Sequence, residues 1–163
     1  MNSSAVRDDV RTVPNVRAIR YAAGTLAFVV AVLHLFHPQY GFTRLVQYVQ
    51  VGTLFDPRPL VFTLSGLAIV AGVLLVFNGV TKRPVYLAGI ALMVTYLVGY
   101  GAWHTVLEHG GFWPYIEPHG HHDIGTITVI VDHLRHDWLA LASKLAELAL
   151  LALLVVLYRF DRE

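Results

Sequence analysis

The chain contains no cysteine among its 163 residues. Disulfide bridges, thiolate metal sites, iron–sulfur clusters and thiol redox chemistry are therefore excluded. Charged residues are also scarce, at 14% of the chain, whereas soluble domains average about a quarter. Because 56% of the residues are hydrophobic, this composition predicts an integral membrane protein, with the lipid bilayer as its partner and no nucleic-acid partner.

The motifs of soluble enzymes are missing as well. The sequence has no phosphate-binding glycine loop, no nucleophile elbow and no paired-histidine zinc-protease signature. We therefore expect any chemistry to come from side chains that membrane helices bring together.

Four apolar segments have the length of about 20 residues that a hydrocarbon core of about 30 Å requires. The predicted helices cover approximately residues 19–36, 60–80, 85–103 and 126–158, and the last begins outside the bilayer before entering it. The fold class is therefore all-α, an integral membrane four-helix bundle over residues 17–159. A polar tail precedes it at residues 1–16, and a short end follows at residues 160–163.

Basic residues set the predicted orientation. Eight flank the helices on one side and three on the other, and the positive-inside rule places the richer side in the cytoplasm. The sequence therefore predicts a multi-pass protein of the cell membrane with both termini inside (N-in/C-in). The eight are Arg7, Arg11, Arg17, Arg20, Lys82, Arg83, Arg159 and Arg162, and the three are Arg44, Arg58 and Arg135.

The first outer loop contains a short amphipathic pattern. Phe42, Leu45, Val46 and Val49 follow the i, i+3, i+4, i+7 spacing of one helical face. This spacing predicts a helix that lies in the membrane interface. The basic turn at residues 81–84 is short enough to predict an antiparallel hairpin of the second and third spans.

All nine histidines fall at or beyond the outer ends of the predicted spans. Histidine is the commonest metal ligand among side chains, so this placement favours a metal or haem site, although histidine also suits a polar outer loop. The nine are His34, His37, His104, His109, His119, His121, His122, His133 and His136.

Three of these histidines are expected to share one depth. Helical rise places His34 and His104 at similar heights on parallel helices, and His136 descends to the same layer. We expect these three as metal ligands, with His37, Asp132 and His133 as further ligands or as orienting neighbours. This N/O ligand set suits zinc, copper or iron. A haem b held between His34 and His104 is the alternative.

The fourth helix carries a polar stripe. On a continuous helix, Asp132, His136, Ser143 and Glu147 lie within about 60° of one another. Lys144 lies three residues before Glu147 and is its predicted charge partner. Ionisable residues inside a span usually mark a functional site, but a structural pair that neutralises itself is an equally good interpretation.

Two further sets complete the candidate residues. Tyr96, Tyr100, His104 and Glu108 recur every four residues and predict a polar line on the third span, although the tyrosines also fit an aromatic belt. The loop tract His119, His121, His122 and Asp123 could capture ions, deliver them to a deeper site or cover that site as a lid. Clustered histidines that titrate near pH 6 could also sense external pH.

The stretch from Arg17 to about Tyr100 resembles the DoxX-like membrane proteins. The residues that carry the resemblance are Leu64-Ser65-Gly66-Leu67, Gly72-Val73-Leu74-Leu75, Gly79-Val80-Thr81-Lys82-Arg83 and Leu87-Ala88-Gly89. The resemblance implies a four-helix bundle, and one branch of that family is a membrane subunit of a quinone-linked sulfur oxidoreductase. The histidines after the first helix depart from the family pattern, so the activity does not follow from the resemblance.

These observations lead to a main hypothesis and two alternatives. The main hypothesis is a metal- or haem-binding membrane protein with redox work at the outer face, for which a quinone is a candidate partner. The first alternative is a divalent metal carrier or importer. The second is a non-catalytic subunit of a larger membrane complex or of a homo-oligomer. Metal and haem content would separate these hypotheses.

Overall fold

A computed structural model describes residues 15–118 and 125–161. Within these ranges the chain is helical and contains no strand. The helices are α1 (Val16–Leu35), α2 (Phe42–Val51), α3 (Arg58–Phe77), α4 (Lys82–His104), α5 (Thr126–His136) and α6 (Trp138–Phe160). A 3₁₀ turn at Glu108–Gly110 follows α4.

Four of these helices, α1, α3, α4 and α6, are long and apolar enough to cross a membrane. They confirm the four spans predicted from hydropathy and indicate a multi-pass membrane protein. The first span begins three residues earlier than predicted, because the Asn15 side chain accepts a hydrogen bond from the N–H of Ala18 at 3.1 Å and caps the helix.

The spans pack as neighbours in the order α3, α1, α6, α4. α1 packs extensively on both α3 and α6, and α4 packs on α6, whereas α3 and α4 touch much less. The buried centre includes Val30, Met93, Leu150 and Leu157. Between lipid-facing helices, close packing of small residues replaces the hydrophobic drive of a soluble core. Gly89 illustrates this, because an added Cβ would lie 2.9 Å from the Leu154 side chain.

A hydrogen-bonded polar cluster joins three helices at the end of the molecule where α1 begins and α6 ends. The Asp161 carboxylate accepts hydrogen bonds of 2.8 Å from the Arg20 guanidinium and from the Tyr86 hydroxyl. Burial raises the pKa of Asp161, but these two donors together outweigh it and hold the pKa below its ordinary value. The polar cluster therefore fixes α1, α4 and the end of α6 relative to one another.

The amphipathic segment in the first loop is helical, as the sequence predicts. α2 packs on α3 and has no buried residue. Gly52 ends the helix in the left-handed conformation, with φ 72°, which a glycine adopts without strain. Its position in the membrane interface remains a prediction.

The prediction of one continuous helix over residues 126–158 is wrong, because the helix is interrupted at Asp137. That residue has an extended backbone (φ −119°, ψ 93°), and its side chain accepts hydrogen bonds of 3.0 Å from the N–H groups of Leu139 and Ala140. Asp137 is therefore the N-cap of a new helix rather than an interior residue of one helix. α5 and α6 are separate helices, and a polar stripe cannot be extrapolated from one to the other.

Candidate metal centre

Three histidine side chains from three different elements meet beyond the end of α4. His104 is the last residue of α4, His109 lies in the 3₁₀ turn, and His133 lies on α5. One ligand nitrogen from each side chain can be chosen so that all three lie within 4.8 Å of one another. The Nε2 atoms of His109 and His133 are 3.1 Å apart. We call these three residues the histidine trio.

The nitrogen spacing of the trio suits a single metal ion. Two imidazole nitrogens that bind a tetrahedral zinc ion at about 2.0–2.1 Å lie roughly 3.3–3.4 Å apart. The His109–His133 separation of 3.1 Å is close to that value. The largest separation among the three ligand nitrogens, at most 4.8 Å, would have to shorten by about 1.4 Å to reach the zinc-site value. All three side chains are half-buried, and closing this gap requires them to rotate.

α5 fixes the orientation of His133. Its Nδ1 lies 2.8 Å from the carbonyl oxygen of Val129, one turn earlier on the helix. Because a carbonyl oxygen only accepts, this bond keeps the proton on Nδ1 and leaves the lone pair on Nε2, the atom that faces His109. Histidines that bind metals commonly donate their second ring N–H in this way.

The backbone at His109 is strained. Glu108 and His109 have φ values of 45° and 57°, in the left-handed region that non-glycine residues seldom adopt. Such residues cost about 1–3 kcal/mol each and cluster at functional sites. Gly110 follows with φ 92°, and a Cβ there would collide with the ring of Trp103. This sharp turn brings the His109 ring to 4.9 Å from the ring of His104, measured between centroids.

His104 contacts the other two imidazoles and also the next turn of its own helix. Its ring centroid is 4.3 Å from that of His133 and 4.5 Å from that of Tyr100. Its Nδ1 atom is buried and has no hydrogen-bond partner among the residues that the structure describes. Buried polar atoms are normally satisfied, so this nitrogen fits a site that receives a ligand such as a metal ion.

A stacked arginine connects the loop between α1 and α2 to the end of α4. The Arg58 guanidinium carbon lies 3.9 Å from the centroid of the Tyr40 ring and 4.4 Å from that of Trp103, the residue before His104. Its Nε also donates to both carboxylate oxygens of Asp56, at 3.0 and 2.9 Å. This packing holds the end of α4, and with it His104, against the α2–α3 connection.

The predicted ligand set of His34, His104 and His136 needs correction, because only His104 belongs to the trio. His136 and Asp132 form a separate surface pair, with side chains 77% and 66% exposed and with His136 Nδ1 3.4 Å from the Asp132 carboxylate. The predicted inward stripe assumed one helix through Asp137, and the break there leaves this pair outside the spans.

His34 lies in a different cluster that is fully buried. Its ring stacks on Tyr96, with centroids 4.1 Å apart and planes 13° from parallel. Its Nδ1 lies 2.8 Å from the carbonyl oxygen of Val30, and its Nε2 lies 3.5 Å from Oε1 of Glu147. Both ring nitrogens face oxygen atoms of α1 and α6. This arrangement does not suit a haem between His34 and His104.

Lys144 and Glu147 form an ion pair beside His34. The Lys144 Nζ lies 2.8 and 2.7 Å from the two carboxylate oxygens, and the Ser143 hydroxyl donates to Oε1 at 2.8 Å. The Glu147 side chain is completely buried, at 0% exposure. Lys144 Nζ also lies 5.7 Å from the ring centroid of Tyr96 and 5.2 Å from that of Tyr100, within range of cation–π attraction.

These contacts form a continuous chain of side chains that starts at the trio. Tyr100 touches His104, and Lys144 lies over Tyr100. We call Tyr96, Tyr100, Lys144, Glu147 and His34 the buried polar column. The polar line predicted through residues 96, 100, 104 and 108 holds only as far as His104, because α4 ends there and Glu108 lies in the 3₁₀ turn.

His37 lies in the turn after α1 rather than in the trio. Its Nδ1 accepts hydrogen bonds of 3.2 Å from the N–H groups of Gln39 and Tyr40. Burial lowers the pKa of His37, and the positive charge of Arg58 adds to this effect, while Asp137 opposes it. The neutral ring therefore caps the turn.

The remaining predicted residues lie in the tract His119, His121, His122 and Asp123, which falls outside the described residues. Sequence reasoning did not select His109 as a ligand, because it lies in a loop and belongs to no helical face. One signal was available: His109 precedes Gly110-Gly111 directly after a span, and paired glycines indicate a sharp turn.

The comparisons with known proteins give no relative: no protein-family model, no curated protein and no solved structure matches this chain. The candidate centre therefore rests on the positions of its own side chains.

Proposed function

We propose that this protein is a membrane-embedded metal-binding protein whose centre is the histidine trio. The observation that carries the proposal is the approach of three imidazoles, from α4, the 3₁₀ turn and α5, to within 4.8 Å of one another through their ligand nitrogens. The Nδ1–carbonyl bond of His133 supports it. The Nδ1 of His104, which has no hydrogen-bond partner within residues 15–118 and 125–161, supports it as well.

Zinc, copper and iron are the metals that this centre would suit. Imidazole nitrogen is a good ligand for all three, and the chain has no cysteine to offer a softer ligand. Among the described residues three side chains would bind the metal, which is the number of protein ligands in catalytic zinc sites, whereas structural zinc sites have four.

We favour redox chemistry at this centre over metal transport. A cation that moved from the trio towards Glu147 would meet the ammonium of Lys144, which lies 2.8 Å or less from both carboxylate oxygens. Beyond that pair the core is apolar, with Val30, Met93 and Leu150 at 2% exposure or less. The ring of Tyr100 lies beside that of His104, 4.5 Å between centroids, and its hydroxyl group can donate and accept a proton. A membrane quinone is our candidate electron partner.

We keep the predicted orientation as part of this proposal. The basic residues favour a cytoplasmic location for both termini, which puts the trio at the outer face of the cell membrane. We also keep a relationship with the DoxX-like proteins as a proposal, since four spans are compatible with that family. The metal centre does not depend on it.

The test is metal analysis of the purified protein together with absorption and electron paramagnetic resonance spectra. We expect one transition-metal ion per chain after reconstitution with zinc, copper or iron, and copper or iron would support a redox role. His133→Asn and His109→Gln should each abolish stoichiometric binding, because each removes one of three ligands. Full occupancy in both variants would overturn the proposed centre.

His136→Asn is the matched control. It changes the same residue type on the same helix, three positions beyond His133, but its side chain is 77% exposed and lies outside the trio. The variant should keep the full metal content. Loss of metal in His136→Asn but not in His133→Asn would instead support the ligand set predicted from the sequence.

Proteoliposomes separate the remaining alternatives. A carrier would move zinc or copper into the lumen, and we expect no uptake above that of empty vesicles. A subunit of a larger complex would co-purify with partners and bind no metal of its own, whereas we expect a chain purified alone to retain the metal.

A further inference from the structure

The opposite end of the molecule contains a second feature that the metal centre does not use. A cavity of about 1360 Å³ lies among α1, α3, α4 and α6, and it extends to the turn that joins α3 to α4. It lies where α3 and α4 make little contact with each other. A cavity between two spans that barely touch is accessible from the surrounding lipid.

Small and apolar side chains form most of the cavity wall. Ala23, Gly24 and Ala27 line it from α1, Gly72 lines it from α3, and Gly89 lines it from α4. An added Cβ at Gly24 would meet nothing within 4 Å. These walls suit a slender hydrocarbon chain, because they leave space and offer few polar partners inside the span.

The depth of the cavity matches one leaflet of a bilayer. Its lining on α1 extends from Val16 to Ala27, a rise of about 16 Å. The hydrocarbon core of a membrane is about 30 Å thick. One acyl chain that enters from the membrane surface therefore spans the length of this cavity.

The mouth of the cavity is positively charged. Among the described residues the charged groups that line it are Arg17, Arg20 and Asp161, two positive and one negative, and together they carry a net charge of one positive. Asp161 binds one Arg20 guanidinium nitrogen, at 2.8 Å, but the Arg20 Nε is buried and has no hydrogen-bond partner among the described residues. An anionic oxygen at this mouth would balance the charge.

We propose that this cavity binds one anionic phospholipid, with an acyl chain between α3 and α4 and the phosphate at Arg17 and Arg20. The cytoplasmic leaflet, which carries anionic lipid headgroups, is the side on which the positive-inside rule places these arginines. The site is separate from the histidine trio, so the two proposals stand or fall independently.

Native mass spectrometry of the detergent-purified full chain, titrated with phosphatidylglycerol or phosphatidylcholine, tests the proposal. The wild type should retain one phosphatidylglycerol and bind it in preference to phosphatidylcholine. Gly24→Leu places a side chain in the cavity without a backbone clash, and it should weaken lipid binding because it fills space that the acyl chain would occupy. Arg17→Gln should reduce the preference for phosphatidylglycerol about fivefold.

Gly99→Leu is the matched control, because Gly99 also has nothing within 4 Å of an added Cβ but does not line the cavity. It should bind lipid like the wild type, and all three variants should keep the metal content of the wild type, which reports on correct folding. Undiminished lipid binding in Gly24→Leu, equal binding of the two lipids by the wild type, or a neutral quinone as the co-purified occupant would each overturn the proposal.

Discussion

His34 on α1 and Glu147 on α6 lie 3.5 Å apart in the interior of the membrane-spanning region, with side chains 3% and 0% exposed. Lys144 and Ser143 donate to the same carboxylate. Ionisable groups at this depth are expensive and usually serve a function. Tyr100 connects them to the trio, because its ring contacts both the ring of His104 and the Lys144 ammonium.

Lys144→Met should destabilise the protein strongly. The substitution leaves the Glu147 carboxylate buried without its main charge partner, and removing one member of a buried ion pair costs about 3–5 kcal/mol. The double variant Lys144→Met/Glu147→Leu should recover most of this loss, because well-packed apolar side chains can replace a buried pair. Unfolding of the detergent-solubilised protein measures both changes. Equal stability of wild type and Lys144→Met would contradict a desolvated pair.

The same double variant separates structure from function in the column. If the column passes protons for redox work at the trio, the double variant should keep its metal and its stability but lose turnover with an added quinol. Unchanged turnover would show that the pair only joins helices.

Gly110→Ala should weaken metal binding although no ligand is changed. Gly110 has φ 92°, and a Cβ there would collide with Trp103. The backbone must shift, and His109 is the adjacent residue. We expect a loss of about 2–3 kcal/mol of stability from overpacking and strain, together with a lower metal affinity measured by competition with a chelator.

Gly52→Ala is the matched control for that prediction. Gly52 also has a left-handed backbone, with φ 72°, but an added Cβ would meet nothing within 4 Å. It should cost about 1 kcal/mol and leave metal binding intact. Equal metal loss in the two variants would show that global destabilisation, rather than the position of His109, controls the affinity.

Hydropathy and apolar periodicity predicted the larger features of this fold. The four spans, the helix in the first loop and the short turn after α3 all depend on patterns within about twenty residues of chain, which sequence periodicity reports directly. The i, i+3 spacing of Lys144 and Glu147 likewise places them on one face of α6, where they form an ion pair.

The centre itself was only half accessible to sequence reasoning. His104 and His133 were among the candidates, but equal height on two helices says nothing about direction around each helix axis. In the structure, His34 faces Glu147 instead of His104. His109 depends on a left-handed backbone, which leaves no periodic signal. The break at Asp137 depends on two capping hydrogen bonds, and an aspartate in an apolar-periodic stretch does not reveal them.

Asp161→Asn should weaken the polar cluster that joins α1, α4 and α6. The carboxylate accepts from both Arg20 and Tyr86, and weakening such buried bonds costs about 1–3 kcal/mol. Because the folded pKa lies below the ordinary value of 3.8, the charged group stabilises the fold above pH 3.8, and this stabilisation is lost as pH falls through the folded pKa. The stability difference between wild type and variant, measured by thermal unfolding, should therefore shrink below pH 3.8. A difference that grows in acid would contradict the assignment.

His37→Asn should remove part of the acid sensitivity of the turn after α1. The folded pKa of His37 lies below 6.5, so the neutral ring contributes stability that is fully present above pH 6.5 and is lost as pH falls from there towards the folded pKa. Protonation also places a hydrogen on Nδ1, the atom that accepts from Gln39 and Tyr40. An asparagine keeps an acceptor for these donors and does not titrate. Between pH 7.5 and pH 5.5 the wild type should therefore lose about 1–2 °C more in Tm than His37→Asn, a small effect because the ring is only half-buried. The Tm of the exposed His136→Asn variant should fall with pH by as much as that of the wild type. If the Tm of His37→Asn falls by the same amount, the turn after α1 does not depend on a neutral imidazole.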